Sequence, residues 1–158
     1  MPRMGDRKQR LVVLWLLATT LACFDLWLNA FLPSPDWALH HRSALWAFGC
    51  LLVLGAVVPL TRLQSSAVTI GAGVFAGGVL GNLISGASDH LTVPNPLLLT
   101  TGSGGIAFNL ADTFIITGNV ILMVALCALA IRNREDLHTQ GIISSVRRRG
   151  SRRSSSST

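Results

Sequence analysis

The residues of this chain that could take part in chemistry are few and lie far apart in the sequence. They are three aspartates and two asparagines, Asp25, Asn82, Asp89, Asn109 and Asp112, in a chain of which half is hydrophobic. Charged groups in apolar surroundings are costly, and in a membrane they usually face the bundle interior and mark function. We therefore take these five residues as the candidate site.

For two of the carboxylates, a structural role competes with a chemical one. Asp25 lies inside a long apolar stretch, where it could hold neighbouring helices together through a hydrogen bond or a cap. Asp112 comes directly before another apolar run, and an aspartate there can accept from the free backbone N–H groups of a helix start. The residues alone leave the roles of cap and catalyst open for Asp112.

The elements that must position these residues are membrane-spanning helices. The mean hydropathy of +0.53 and the charged fraction of 13% are far from those of a soluble domain. A spanning helix needs roughly 20 mostly apolar residues. Four stretches qualify, at about 11–31, 44–60, 67–85 and 113–131. We predict an all-α membrane protein, a four-helix bundle whose outer loops form an extracytoplasmic region.

The basic residues set the predicted orientation. Twelve of the 13 lie before the first stretch, between the second and third, or after the fourth, and only Arg42 lies elsewhere. Because positively charged segments stay in the cytoplasm, we predict that both termini are cytoplasmic and that loops 32–43 and 86–111 are outside. The candidate site then gathers at the extracytoplasmic face.

The segments outside the spans suggest no further chemistry. Residues 1–10 form a basic cytoplasmic terminus, and the Arg/Ser-rich segment 132–158 is typical of a disordered cytoplasmic tail whose arginines contact anionic lipid headgroups. Since topology explains the basic charge, we expect no nucleic-acid partner. Cys23, Cys50 and Cys127 all fall inside predicted helices without CxxC spacing, so we expect packing residues rather than disulfides. We predict no cofactor and no metal.

Glycines mark two other features of the chain. The third stretch carries Gly73, Gly77 and Gly81 at four-residue spacing, a pattern that lets helices approach closely in lipid. The sequence T-T-G-S-G-G at 100–105 lacks the lysine and the strand-to-helix setting of a phosphate-binding loop. We interpret it as the hinge of a flap that covers a substrate.

Two motifs resemble the lipoprotein signal peptidase (signal peptidase II) family of bacterial inner-membrane aspartic proteases. F-N-L-A-D at 108–112, directly before a spanning helix, matches the F-N-x-A-D motif that contains one of the two catalytic aspartates of that family. G-N-L-I at 81–84 matches the start of the G-N-x-x-D-R motif, and Asp25 corresponds to the helix-one aspartate of D-Q-x-x-K. The resemblance covers roughly residues 11–131.

The chain departs from this family in the loop before F-N-L-A-D. Ser85 and Gly86 stand where the family has D-R, and an ungapped alignment places Thr92, Val93 and Pro94 at the V-V-D segment with the first catalytic aspartate. Aspartic proteolysis needs two carboxylates that share a proton, one to activate water and one to protonate the leaving group. The resemblance therefore implies that Asp89, in the same loop, forms the dyad with Asp112.

The resemblance implies an aspartic endopeptidase that cleaves prolipoproteins before the lipid-modified cysteine. Asp112 and Asp89 would be catalytic, Asn82 and Asn109 would orient the site, and Asp25 would hold the bundle. The expected partners are lipidated prolipoproteins and membrane lipids, and we expect a monomer in the bacterial inner membrane. A catalytically inactive homologue that binds lipidated peptides or other membrane proteins is the alternative. A small transporter is disfavoured, because no acidic residue lies near a helix midpoint.

Overall fold

Four long helices account for most of the fold. The computed structural model describes the backbone of residues 4–101 and 104–154, and the side chains of residues 6–100 and 105–134. The helices are α1 (Met4–Phe31), α2 (Ala44–Val57), α3 (Ser66–Ser88) and α4 (Leu110–Ser154), and a 3₁₀ turn, Val58–Arg62, extends α2. Each helix, α2 together with its 3₁₀ turn, contains a segment long and apolar enough to cross a membrane. The prediction of a four-helix membrane protein is confirmed.

The helix bounds differ from the predicted spans mainly at the chain ends. α1 begins at Met4 instead of residue 11, because the charged residues before the apolar run are also helical. α4 continues to Ser154 and so includes most of the basic tail, for which composition predicts disorder. No proline follows Pro96 in the sequence, so nothing forces α4 to end at the membrane boundary. Residues 155–158 and the side chains after Arg134 lie outside the described part of the chain.

The third helix is the centre of the bundle. α3 packs along both α1 and α4, with a smaller contact to α2, and most of its residues are buried. Its small side chains make this possible. Gly73 and Gly77 lie against Leu14, Leu17, Ala18 and Leu21 of α1, as the four-residue spacing predicts, whereas Gly71 and Gly78 lie against α4. The interface therefore has little interior volume.

The connections at one end of the bundle contain two small antiparallel sheets. Strand β1 (His40–His41) follows α1 and pairs with β2 (Thr92–Val93), which follows α3. Strands β3 (Leu97–Thr101) and β4 (Gly104–Phe108) then form a hairpin that leads into α4. The sequence T-T-G-S-G-G, interpreted above as a flap hinge, lies at the tip of this hairpin, and its residues 102 and 103 lie outside the described residues.

The opposite end of the bundle carries the described basic side chains other than Arg42, which follows β1. Arg10 donates from Nε to the carbonyl of Thr61 at 3.0 Å, which ties α1 to the turn after α2. Arg62 and Arg132 line one cavity there. The two ends of the bundle are therefore chemically different, one basic and one rich in aspartate, asparagine and histidine.

Candidate active site

Four of the five candidate residues lie together where α1, α3 and α4 meet the strand-containing end. Asp25 comes from the last two turns of α1, Asn82 from the C-terminal part of α3, and Asn109 and Asp112 from the start of α4. Asp25, Asn82 and Asn109 are buried, and Asp112 is half-buried. Residues from three helices that are far apart in the chain thus form one polar cluster inside an apolar bundle.

Asp112 is held by two asparagines. Asn82 donates from Nδ2 to Asp112 Oδ1 at 2.9 Å, and Asn109 donates from Nδ2 to Asn82 Oδ1 at 2.6 Å. Hydrogen bonds to a charged acceptor are stronger than those between neutral groups. The chain of bonds runs from Asn109 through Asn82 to the carboxylate, so it orients the carboxylate relative to α3.

Asn109 is the residue that caps α4. Its Oδ1 accepts from the backbone N–H of Asp112 at 2.8 Å, while Asp112 Oδ2 accepts from the backbone N–H of Asn109 at a longer 3.4 Å. This reciprocal pair is a capping box, in which the first helical turn satisfies its own free N–H groups. The capping role considered for Asp112 therefore belongs to Asn109, and Asp112 is its partner three residues later.

Asp25 is fully buried and binds the same helix start. Its Oδ1 accepts from the backbone N–H of Ala111 at 2.7 Å, and its Oδ2 accepts from Asn29 Nδ2 at 3.1 Å. A negative charge at a helix N-terminus is stabilised by the helix dipole. Gly81 of α3 leaves the necessary space, because a Cβ atom there would lie 3.1 Å from Asp25 Oδ2. Because Asp25 has no exposed surface, its position suits a residue that joins α1 to α4 by hydrogen bonds.

Asp89 lies apart from this cluster. It is exposed and ends α3 as its C-cap, and the turn is closed by a bond from the N–H of Leu91 to the carbonyl of Gly86 at 2.7 Å. His90 and Leu91 have φ angles of 46° and 65°, a region that costs energy for residues other than glycine. In the described part of the chain, no hydrogen bond joins the Asp89 side chain to Asn82, Asn109 or Asp112.

Two loop residues that were not selected from the sequence, Pro94 and Asn95, lie where the loop contacts the cluster or directly after it. The carbonyl of Pro94 accepts from Asn109 Nδ2 at 3.4 Å. Asn95 is fully buried, and its Nδ2 lies 3.1 Å from the carbonyl of Ala38 and 2.7 Å from His40 Nδ1. The sequence P-N-P predicts an extended backbone, but no local pattern indicates that Pro94 contacts Asn109 or that Asn95 is buried.

An apolar groove of about 300 Å³ begins at Asp112 and runs between the hairpin and α4. Its other lining residues come from both elements: Leu99, Ile106, Phe108, Thr113, Ile116 and Thr117. A half-buried carboxylate at the edge of an apolar groove could act on a polar bond of a ligand whose remainder is apolar. Among residues 6–100 and 105–134, whose side chains are described, no three His, Cys, Asp or Glu side chains cluster as metal ligands would.

Comparison with solved structures shows the fold of a bacterial membrane enzyme. A bacterial membrane enzyme whose structure was determined by the in meso method superimposes with a TM-score of 0.58 and 16% sequence identity, covering 84% of this chain and 93% of that chain. No family model and no curated protein matches the sequence. The likeness therefore shows a shared fold, and any reaction has to be argued from the site.

Proposed function

We propose that the chain is an aspartic endopeptidase of the lipoprotein signal peptidase type, which removes signal peptides from prolipoproteins before the lipid-modified cysteine. The observation that carries the proposal is the Asp112 carboxylate, oriented by Asn82 and placed at the edge of an apolar groove. A buried polar network is costly in a membrane protein, and such networks usually mark functional sites. The F-N-L-A-D and G-N-L-I motifs contribute three of its members.

The groove suits the substrate class. A lipid-modified signal peptide is apolar along most of its length and exposes few polar groups besides its backbone. Leu99, Ile106 and Ile116 offer apolar contact, while Asp112 meets the peptide bond to be cleaved. A substrate of this kind reaches the groove from the lipid phase, and the prolipoprotein and the surrounding lipids are the only partners that a monomer requires.

Hydrolysis needs a second carboxylate, and Asp89 is our candidate. One carboxylate removes a proton from the attacking water while the other donates a proton to the departing amine. Asp89 and Asp36 are the acidic residues of the loops at this end, and only Asp89 belongs to the chain segment that reaches Asn109 through Pro94. Because Asp89 is exposed beside the unfavourable turn at His90 and Leu91, its approach to Asp112 requires residues 89–93 to rearrange when substrate binds.

We further propose that the site lies at the extracytoplasmic face of the bacterial inner membrane, with both termini in the cytoplasm. Arg10, Arg62 and Arg132 lie together at the opposite end of the bundle, and positively charged segments are retained in the cytoplasm. Prolipoproteins are exposed at the outer face after translocation, so this orientation places the site where its substrate is available.

One observation favours a second candidate, a non-catalytic protein that binds lipidated peptides. The segment aligned with the first catalytic aspartate of the signal peptidases supplies the carbonyl of Pro94 to Asn109, and its next side chain is the amide of Asn95. A groove with a single oriented carboxylate could bind the same peptides without hydrolysing them.

The experiment that separates the two candidates is a cleavage assay. A lipid-modified precursor is incubated with the purified full-length chain in proteoliposomes without any other peptidase. Two quantities are measured: the release of the signal peptide, and the retention of the intact precursor by the chain itself. Cleavage before the modified cysteine supports the endopeptidase. Retention without cleavage supports the binding protein, and neither cleavage nor retention contradicts both.

A further inference from the structure

The basic end of the bundle contains two adjoining cavities that differ in character. The first, of about 480 Å³, is lined by two arginines, two amides and two leucines: Arg62, Leu63, Gln64, Leu129, Arg132 and Asn133. The second, of about 310 Å³, shares Gln64, Leu129 and Arg132 with it and extends between the start of α3 and the side of α4. The shared residues make one continuous depression, polar where it is lined by the arginines and serines and apolar where it is lined by Ala67, Ala125, Ala128 and Leu129.

The polar end has the chemistry of a phosphate site. Arg62 and Arg132 come from the turn after α2 and from α4, so two guanidinium groups from separate elements converge on one cavity. Guanidinium groups bind phosphate oxygens through paired hydrogen bonds. Ser65 and Ser66, at the start of α3, line the second cavity, and the partial positive charge of a helix N-terminus adds to the attraction. No described acidic residue lines either cavity; the described acidic residue next to them is Asp6, which lines a third cavity together with Arg10 on the other side of Gln64, Ser65 and Ser66.

The apolar end continues along the helices. Ala67 of α3 faces Ala125 and Ala128 of α4 across the second cavity, with Leu129 beside them. Small side chains on two neighbouring helices leave an apolar surface that an acyl chain can contact. A soluble phosphate compound would make no use of this surface.

The position relative to the membrane agrees with both ends of the depression. Arg62 ends the second apolar span, Ser66 begins the third, and Arg132 lies in the last turn of the fourth, which runs to Arg134. The arginines therefore lie at the depth of lipid headgroups, and Ala128 and Ala125 lie one and two helical turns deeper along α4, at the depth of acyl chains. Basic pockets between spanning helices at this depth bind anionic lipid headgroups.

We infer that this depression binds one anionic phospholipid, with its phosphate between Arg62 and Arg132 and an acyl chain along Ala67, Ala125 and Ala128. A zwitterionic lipid carries a compensating positive charge next to the same arginines, so it binds more weakly. The inference does not depend on the proposed peptidase activity, because the depression lies at the opposite end of the bundle from Asp112.

Equilibrium titration of the purified full-length chain in non-ionic detergent tests the inference. The probes are dioleoyl phosphatidylglycerol, dioleoyl phosphatidylcholine and glycerophosphoglycerol, which is the anionic headgroup without acyl chains. We expect the phosphatidylglycerol to bind most tightly. Equal affinity for the two lipids would overturn the role of the anionic charge, and equal affinity for the headgroup alone would show a site for free phosphate compounds instead of lipid.

Matched variants separate the site from general charge. Arg62→Gln/Arg132→Gln should weaken phosphatidylglycerol binding by about tenfold or more. Arg7→Gln/Arg134→Gln removes the same charge from residues of the same end that are equally exposed but line neither cavity. It should change binding less than about twofold, since charges without a direct contact to the phosphate act on it through solvent and are screened. Equal losses in the two double variants would overturn the site.

A third variant addresses the apolar surface. Ala128→Phe fills the apolar end while leaving both arginines in place, so phosphatidylglycerol binding should fall and binding of glycerophosphoglycerol should stay unchanged. Ala128 is exposed on the lipid-facing side of α4, so the protein tolerates the larger side chain. Unchanged phosphatidylglycerol binding in Ala128→Phe would exclude the acyl chain from this surface.

Discussion

Asp25 Oδ1 accepts a hydrogen bond of 2.7 Å from the backbone N–H of Ala111, across 86 positions of sequence. The bond joins the end of α1 to the first turn of α4, and Ala111 is the residue before Asp112. A displacement of Asp25 would therefore move the carboxylate proposed to act in catalysis. Holding the bundle and placing the site are the same task at this position.

Asp25→Ala should lower the amount of folded protein in the membrane. The substitution leaves the N–H of Ala111 and the amide of Asn29 without their acceptor, and each buried donor left unpaired costs about 1–3 kcal/mol. Asp25→Asn keeps one acceptor and should lose less. Abundance in membranes measures the effect, and Asp36→Ala, at an exposed aspartate of the same end, should remain near wild type. Normal abundance of Asp25→Ala with lost cleavage would instead place Asp25 in the active site.

Gly78→Ala and Gly118→Ala should destabilise the bundle by about 1–3 kcal/mol each, the usual cost of overpacking. A Cβ atom at Gly78 would overlap the carbonyl of Ala111, and one at Gly118 would overlap the backbone of Phe75. Gly49→Ala and Gly55→Ala are the controls, because nothing lies within 4 Å of a Cβ atom at either position. They should gain up to about 1 kcal/mol of helix propensity. Thermal unfolding in detergent should rank the two pairs in this order, and equal midpoints would contradict the close packing of α3 and α4.

The four helices could be predicted because a span is defined by the length of its apolar run alone. The spacing of Gly73 and Gly77 likewise indicated a packed face. Gly118 gave no such signal, since an isolated glycine in a helix has no periodic partner and its neighbour Phe75 lies on another helix. The hairpin was also missed. Its strand Leu97–Thr101 is short, does not alternate apolar and polar residues, and follows a proline, so it does not resemble a half-buried strand.

Most of the candidate site could be predicted because Asp25, Asn82, Asn109 and Asp112 are polar residues near the ends of apolar spans. The backbone groups that these residues bind could not be predicted. Nothing in the sequence indicates, for example, that the N–H of Ala111 donates to Asp25. The burial of Asn95 depends on the pairing of β1 with β2, a contact between segments about fifty residues apart. A contact between such distant segments cannot be predicted from local sequence patterns.

Reporter fusions should place the two ends of the bundle in different compartments. A reporter after Thr158 should be active as a cytoplasmic fusion, and one inserted between residues 102 and 105 should be active only as an extracytoplasmic fusion, because the basic residues lie at the opposite end of the bundle from the hairpin. An enzyme such as alkaline phosphatase, paired with a fluorescent protein that folds only in the cytoplasm, distinguishes the two. The same compartment for both fusions would refute the orientation and the outer location of the site.

Asp112→Asn and Asp89→Asn should each lower prolipoprotein cleavage by about a hundredfold or more while leaving the protein folded, because each removes one of the two groups that transfer protons. Asparagine keeps the size of the side chain and one acceptor oxygen. At position 112 it can still complete the capping box with Asn109, so a purely structural aspartate would lose little. Asp36→Asn, at an exposed aspartate outside the proposed dyad, should cleave like wild type.

Different results for Asp112→Asn and Asp89→Asn would be informative, because the two side chains have different surroundings in the structure. Asp112 is held by Asn82 at 2.9 Å, whereas Asp89 must move from an exposed helix end. Loss of cleavage in Asp112→Asn with full cleavage in Asp89→Asn would show that the second proton carrier is another group, and the dyad assignment would be wrong. Absence of cleavage by the wild type, with the intact precursor still bound, would mean that no second carboxylate reaches Asp112. The chain would then bind its peptides without hydrolysing them.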